Sequence, residues 1–215
     1  MPALKNVPIE AMERAWIEVD LGALRRNSRV ISDRVGDGCR LLPMVKAVAY
    51  GVGMERVVRT LGPLDPWGCG VATTREGRDL RRLGWDGPVL VCAPTLPIDV
   101  PSLVEERLEP AVPGLEALRS CTGHQGGEPL RVHLEVDTGM GRLGLAWDQA
   151  SEWAPEVAPV VRAGGVRLVG TMSHFHSADR PGDSTRTQWS RLCEAVEAMR
   201  AAGIDPGLVH VANSA

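Results

Sequence analysis

Short apolar runs alternate along the chain with longer segments in which apolar residues recur at helical spacing. The length and β-branched content of these runs are typical of strands buried on both faces of a parallel sheet. We therefore predict strands over 40–48, 67–72, 88–93, 108–112, 131–137, 167–175 and 208–213.

The segments between the runs predict helices. Thr73 and Glu76 have the spacing of a capping box, which begins a helix over 74–83. Further helices are predicted over 21–35, 97–107, 114–120, 147–162 and 188–202, with an irregularity near Pro155 or Pro159. In the last segment five apolar residues repeat at helical spacing: Trp189, Leu192, Cys193, Val196 and Met199.

About seven strand–helix units follow one another, an order that gives either a closed barrel or an open doubly wound sheet. No G-x-G-x-x-G follows the first run, which disfavours the doubly wound alternative. We predict an α/β fold, a TIM-type (β/α)8 barrel that is incomplete because the eighth unit is missing. Residues 15–24 predict an extra strand that leads into a helix. This strand would need a sheet other than the barrel to pair with. The open edges leave two alternatives: the chain is a fragment, or another element covers the gap.

Composition narrows the class of protein. The 215 residues are 44% hydrophobic and carry a net charge of -3, which is typical of a globular protein and argues against nucleic acid as the main partner. No apolar run approaches the ~18 residues of a membrane span, and residues 1–14 predict a flexible lead-in without a secretory signal. The remainder, 15–215, is predicted as one barrel domain. Five scattered cysteines without a C-x-x-C pair predict unpaired buried thiols and a cytoplasmic location.

Lysine is scarce in this chain. Only Lys5 and Lys46 are present, beside 22 arginines, and Lys5 lies in the polar lead-in. An arginine does not form a Schiff base, whereas a deprotonated lysine does. Lys46, at the end of the first predicted strand and between apolar residues, is therefore the candidate amine nucleophile, the alternative being a lysine that reaches solvent.

Other candidate residues follow the later strands. Tyr50, the one tyrosine, is placed to contact a phosphate or to pack on a ring. Arg142 lies in a glycine-flanked loop where it can meet an anionic oxygen, and Glu135 can hold it by a charge-assisted bond, the alternative being a surface ion pair.

The last two strands end in polar residues. His174 and His176 share one face of a strand as a metal pair would, but no third ligand is near in sequence, so we predict no metal site. Asn213 and Ser214 follow the seventh strand, where barrels often bind phosphate.

Five stretches, in order, resemble the N-terminal barrel domain of the alanine racemase family. Members of this family are fold-type III pyridoxal-phosphate enzymes. They are "AWIEVDLGALRRN", "VKAVAYGVG", "VDTGMGRLG", "SHFHSAD" and "HVANSA". The resemblance covers nearly the whole chain. A single-domain cofactor-handling protein of similar length fits the first and third stretches less well.

The resemblance implies an isomerase that interconverts L-alanine and D-alanine, a peptidoglycan precursor, in the cytoplasm. Lys46 would hold pyridoxal 5'-phosphate and then act as one of two proton-transfer bases, on opposite faces of the substrate. The other implied contacts to the cofactor are Tyr50 and Ser214 at the phosphate, Asn213 nearby, Arg142 at the phenolic oxygen and His174 beside the ring.

The chain departs from the family pattern. Val48 and Val52 stand where the family motif K-A-N-A-Y-G-H-G has asparagine and histidine, which removes two hydrogen-bonding groups near the cofactor. Glu135 stands where many members have a carbamylated lysine, and it supplies the anion directly.

The family's last barrel unit, its arginine facing the pyridine nitrogen and its C-terminal β domain are not in these 215 residues. In the family that domain supplies a tyrosine as second base across a head-to-tail homodimer. Three hypotheses follow: a racemase seen as its N-terminal portion, inactive or nearly so alone; a pyridoxal-phosphate-binding module without racemase activity; or half of a split enzyme that needs a second chain. The expected ligands are small amino acids, without nucleic acid or membrane.

Overall fold

The computed structural model describes residues 17–124 and 127–213. The predicted lead-in over 1–14 and the candidate Ser214 lie outside these ranges. The helices are α1 (Leu21–Val35), α2 (Lys46–Tyr50), α3 (Met54–Leu61), α4 (Thr74–Arg82), α5 (Val100–Glu105), α6 (Leu115–Cys121), α7 (Ala150–Arg162) and α8 (Ser184–Ala201). The strands are β1 (Cys69–Val71), β2 (Val89–Val91), β3 (Glu109–Val112), β4 (Leu130–Asp137), β5 (Leu145–Ala146), β6 (Val166–His174) and β7 (Leu208–Ala212).

The strands form one parallel sheet in the order β1-β2-β3-β4-β6-β7, with β5 added beside β4. Helices follow most strands, as in a βα barrel, and the sheet does not close. The predicted incomplete α/β barrel is therefore confirmed. No helix within the described ranges has both the length and the apolar character that a membrane crossing requires.

The first predicted strand, 40–48, is only partly correct. Residues 41–45 run parallel to β1 through three hydrogen bonds, Trp67 N to Leu41 O (2.8 Å), Val45 N to Gly70 O (2.7 Å) and Gly70 N to Pro43 O (2.8 Å). Regular pairing is limited to a bridge at Met44, and the chain turns into α2 at Lys46. The predicted strand over 15–20 is not observed in its described part, because residues 17–20 are irregular.

The local predictions have mixed outcomes. Thr73 and Glu76 form the predicted capping box of α4. Helix α7 runs through both Pro155 and Pro159 after a 3-10 turn over Trp147–Gln149, and the predicted irregularity near these prolines is not observed. The predicted apolar face of α8 is rotated, because Trp189 and Cys193 are exposed while Gln188 is buried.

A chain of polar side chains crosses the interior of the sheet. Glu109 on β3 accepts hydrogen bonds from Arg131 Nε (2.7 Å) and from His133 Nε2 (2.8 Å), both on β4. The other ring nitrogen of His133 lies 2.8 Å from His210 Nε2 on β7, and the edge of the Trp67 ring packs on His133. Buried polar groups are tolerated where each is hydrogen-bonded, and this chain fixes three strands relative to one another.

Burial and the nearby His133 lower the pKa of His210 to about 3, against a smaller opposing effect of Glu109. Burial alone would raise the pKa of Glu109, but hydrogen bonds from His133 and Arg131 outweigh it and the pKa is lowered. Both shifts make the folded state bind fewer protons than the unfolded chain in acid.

Turn α2, which carries Lys46 at its start, is left-handed. Ala47, Val48, Ala49 and Tyr50 all have φ between 50° and 57°. Such a backbone costs about 1–2 kcal/mol per L-residue, and a β-branched residue such as Val48 is especially disfavoured there. Gly51 and Gly53, also at positive φ, close the turn without a Cβ penalty. The candidate amine of Lys46 therefore lies directly before a strained stretch of backbone.

The shifted pKa of His210 predicts a pH-dependent stability. The contribution of His210 to the free energy of unfolding is present above pH 6.5, the ordinary pKa of histidine. It is lost progressively as the pH falls from 6.5 towards 3. Between pH 6.5 and pH 4 we expect a loss of about 3 kcal/mol in the free energy of unfolding. In His210→Gln this loss should be much smaller, as measured by urea unfolding at several pH values. The same pH dependence in both proteins would contradict the assignment.

The strain in turn α2 predicts that Val48→Asn stabilises the protein by about 0.5–1 kcal/mol, because asparagine tolerates the left-handed region. Val30, on the right-handed helix α1, is exposed to the same 61% and gives a matched control. Val30→Asn should be nearly neutral. The effect is measured as the change in the midpoint of urea unfolding, provided that the slope of the transition is unchanged. An equal effect of the two substitutions would show that the left-handed backbone is not the cause.

Candidate functional site

The parallel strands end at a common rim, and most candidate residues lie there. Lys46 follows the segment 41–45, Glu135 lies two residues before the end of β4, and His174 ends β6. Asn213 comes directly after β7. This rim is the end at which barrel enzymes place their reactive groups.

The pKa of the Cys92 thiol, which follows β2, indicates which charged groups lie near one another at the rim. Burial raises the pKa of its thiol to about 11, Lys46 and Arg142 oppose that rise, and Glu135 adds to it. Three of the candidate residues therefore act on one buried atom. At neutral pH the thiol is protonated and poorly nucleophilic.

His174 lies in the same electrostatic environment. Burial lowers the pKa of its half-buried imidazole, and the positive charges of Arg142 and Lys46 lower it further. The ring is therefore neutral at pH 7 and offers a flat, uncharged surface beside two cations.

Glu135 contributes a buried carboxyl group to the rim. It is 5% exposed, and burial raises the pKa of its carboxyl group, with Asp137 adding to the rise and Arg142 opposing it. Glu135 and Arg142 are thus coupled electrostatically. The hydrogen bonds of the described residues include none between these two side chains, so the direct bond that the sequence predicted is not formed here.

The loop that carries Arg142 is shaped by Asp137 and by glycines. The Asp137 carboxylate accepts hydrogen bonds from Gly139 N (2.9 Å) and Gly141 N (3.0 Å). Gly144 has φ 113°, and a Cβ there would lie 2.6 Å from Asp137 N. The loop then returns to pair β5 with the end of β4. The glycines of "TGMGRLG" are therefore required by the path of the backbone.

The remaining candidates are placed differently. Tyr50 is 61% exposed at the end of turn α2. The Nδ2 atom of Asn213 donates to the carbonyl of Phe175 (3.2 Å), which joins the ends of β6 and β7. His176 is exposed, and its Nδ1 atom lies 2.7 Å from Ser177 Oγ rather than next to the ring of His174. Within the described ranges no group of three His, Cys, Asp or Glu side chains is arranged to bind a metal.

Gln188 on α8 is a site residue that the sequence analysis missed. Its side chain is 1% exposed, donates to His174 O (2.9 Å) and Thr138 Oγ1 (3.1 Å), and accepts from His176 N (3.0 Å). It therefore fastens the loop after β4 to the loop after β6. The available signal was its position, four residues before Leu192 on the apolar face of α8.

A neighbouring residue on α8 supports the same loop. Arg191 donates to Thr138 O (2.9 Å), and its guanidinium lies 4.9 Å from the centre of the Trp147 ring. Thr138 Oγ1 also lies 2.7 Å from Ser173 Oγ on β6. One helix thus holds the two loops that carry Arg142 and His174.

Known proteins resemble this chain in sequence. The family model described as alanine racemase, N-terminal domain, matches residues 19–215. An alanine racemase of Geobacter sulfurreducens is 38% identical over 204 residues, covering 92% of this chain and 53% of that protein. One from Symbiobacterium thermophilum is 36% identical over 210 residues, covering 96% and 55%.

Solved structures agree. The alanine racemase from Bacillus anthracis with bound L-Ala-P superposes with a TM-score of 0.85 at 28% identity, covering 93% of this chain and 52% of that chain. The enzyme from Corynebacterium glutamicum gives a TM-score of 0.81 at 27% identity, covering 92% and 56%. This chain spans about half the length of the curated relatives it matches. On both sequence and structure, the chain belongs to the alanine racemase family, as the N-terminal domain of that family.

Proposed function

We propose that residues 15–215 are the cofactor-binding barrel domain of a pyridoxal 5'-phosphate-dependent amino-acid racemase, with alanine as its substrate. The observation that carries the proposal is the convergence of Lys46, Arg142, Glu135 and His174 at the rim of the barrel. Membership of the alanine racemase family supports it. A cytoplasmic location remains a prediction from the unpaired cysteines.

The chemistry of the rim fits a phosphorylated pyridine aldehyde. Lys46 offers a primary amine for the aldehyde, and Arg142 adds a second positive charge for an anionic ligand. Thr95 lies in the loop after β2, three residues beyond Cys92, and its buried Oγ1 has no hydrogen-bond partner among the described residues. An unsatisfied buried hydroxyl requires an explanation, and a polar ligand at this rim would supply the missing partner.

Each residue then has a defined role. Lys46 would hold the aldehyde carbon, and Arg142 would donate to the phenolic oxygen. His174, neutral because burial lowers its pKa, would pack beside the ring without adding a third cation. Tyr50 and Ser214 would contact the phosphate, with Asn213 joining the two strand ends there. Glu135 would orient Arg142 through its charge.

The bound cofactor would supply an electron sink that makes the Cα proton of an amino acid acidic. Lys46 would move that proton on its own face of the substrate, and Glu135 would balance the charge of Arg142 in the buried rim. The base for the opposite face of the substrate would come from outside these 215 residues. It would be supplied by the whole protein as a homodimer or by a second chain. We expect the 215 residues alone to have little racemase activity.

We expect Lys46 to be the residue that captures the cofactor. Incubation with pyridoxal 5'-phosphate, reduction with borohydride and peptide mapping by mass spectrometry should place the label on Lys46. Lys46→Arg should abolish the label, because a guanidinium does not form the imine.

Lys5 is the internal control, since it is the other lysine of the chain. Label on Lys5, or no label at all, would contradict the proposal. Label on Lys46 in a protein that racemises no amino acid, even as the complete gene product, would favour the pyridoxal-phosphate-binding module. Activity that appears only after addition of a separately encoded chain would favour the split enzyme.

Arg142→Ala should weaken pyridoxal 5'-phosphate binding about tenfold or more, because a hydrogen bond to a charged group contributes about 1.5–3 kcal/mol. The measurement is an absorbance titration with the cofactor. Arg186, 87% exposed near the start of α8, is the control, and Arg186→Ala should leave the affinity unchanged. Equal losses in the two variants would indicate a general electrostatic effect rather than a contact.

A further inference from the structure

The start of turn α2 needs a hydrogen-bond acceptor. The first N–H groups of any helical turn have no partner within the turn itself. In this left-handed turn, Ala49 N bonds to Val45 O (2.8 Å) and Gly51 N bonds to Ala47 O (3.0 Å). The N–H of Ala47, the residue directly after Lys46, has no such backbone partner in the described chain.

Glu76 supplies that acceptor from α4. Its Oε1 atom accepts from Ala47 N at 2.7 Å. Its Oε2 atom accepts from Ala72 N at 2.7 Å and from Thr73 N at 3.2 Å. One carboxylate therefore serves the beginnings of two helical turns, and it joins the residue after Lys46 to the end of β1.

The hydrogen bonds of the Glu76 carboxylate serve two separate purposes. A capping box requires only that Glu76 return to the N–H of Thr73. The bond to Ala47 spans 29 positions along the chain and adds nothing to the cap of α4. It acts on a backbone that is strained and that would relax if the acceptor were lost.

We propose that Glu76 is a positioning residue that holds the left-handed turn and so aims the amine of Lys46 into the rim. The inference rests on the proposed function in that Lys46 is the cofactor-binding lysine. Among the described residues, the Glu76 carboxylate hydrogen-bonds only to backbone N–H groups, so it acts through the turn and takes no part in the chemistry.

The test compares Glu76→Gln with Thr73→Ala. The amide side chain of Glu76→Gln has a single acceptor oxygen and cannot serve both Ala47 and β1. Thr73→Ala removes the hydroxyl that accepts from Glu76 N (3.3 Å) and so weakens the cap while leaving the carboxylate in place. Hydrogen exchange of the Ala47 amide is measured without cofactor, and pyridoxal 5'-phosphate affinity is measured by absorbance titration.

In Glu76→Gln we expect exchange of the Ala47 amide to be about tenfold faster and cofactor affinity about tenfold weaker. Thr73→Ala should accelerate exchange within α4 and leave both other readouts within about twofold. Unchanged exchange and affinity in Glu76→Gln, faster exchange without loss of affinity, or equal effects in Thr73→Ala would each overturn the inference.

The two proposals fail separately. If the wild-type protein does not bind pyridoxal 5'-phosphate, the proposed function is wrong. The exchange of the Ala47 amide still decides in that case whether Glu76 holds the turn.

Discussion

The register between β4 and β6 is the constraint on which the rest of the structure depends. It pairs Glu135 with Met172 and so brings the loop after β4 beside the loop after β6. The same register sets Gly170 opposite His133, where an added Cβ would collide with the imidazole ring. Gly170 therefore makes room for the polar chain that reaches His210 on β7. A shift of one residue would turn every one of these side chains to the other face.

Alternate residues of β4 divide the interior into two layers with different chemistry. Arg131 and His133 lie in the lower layer, where Glu109 and His210 satisfy them. Glu135 lies in the upper layer, where Arg142 and Asp137 are its electrostatic neighbours and its carboxyl group has no hydrogen bond to another described side chain. The lower layer joins three strands by hydrogen bonds, whereas the upper layer brings the charges of Glu135, Lys46 and Arg142 near one another.

Much of this was predictable because side-chain patterns follow packing. Six of the seven runs became strands and α4 began after its predicted cap at Thr73, since burial on both faces and capping chemistry depend on residue types. Helix α3 was not predicted, and α8 begins at Ser184, four residues before its predicted start. The hand of turn α2 was not predictable, because alanine and valine give no sign of a left-handed backbone. Only Gly51 and Gly53 pointed to an unusual path there.

The site followed the same rule. Lys46, Glu135 and His174 lie at or near strand ends, and the convergence of parallel strand ends places them on one rim, whereas their roles and that of Arg142 stay predictions. Gln188 was missed because a polar residue on an apolar helix face looks like an interruption of the pattern. Its partners are mainly loop groups far away in sequence, and no local pattern shows those.

Gln188 and Glu76 share one physical role near opposite ends of the sheet, since α4 follows β1 and α8 connects β6 to β7. Each lies on an outer helix, and each bonds mainly to backbone groups or hydroxyls of the loops that carry the rim residues. Loops are otherwise the most mobile parts of a barrel, and the strained turn at Lys46 has no intrinsic preference for its shape. The loops of the rim are thus fastened by helices that pack outside the sheet, through the Glu76 carboxylate beside Lys46 and the Gln188 amide beside His174.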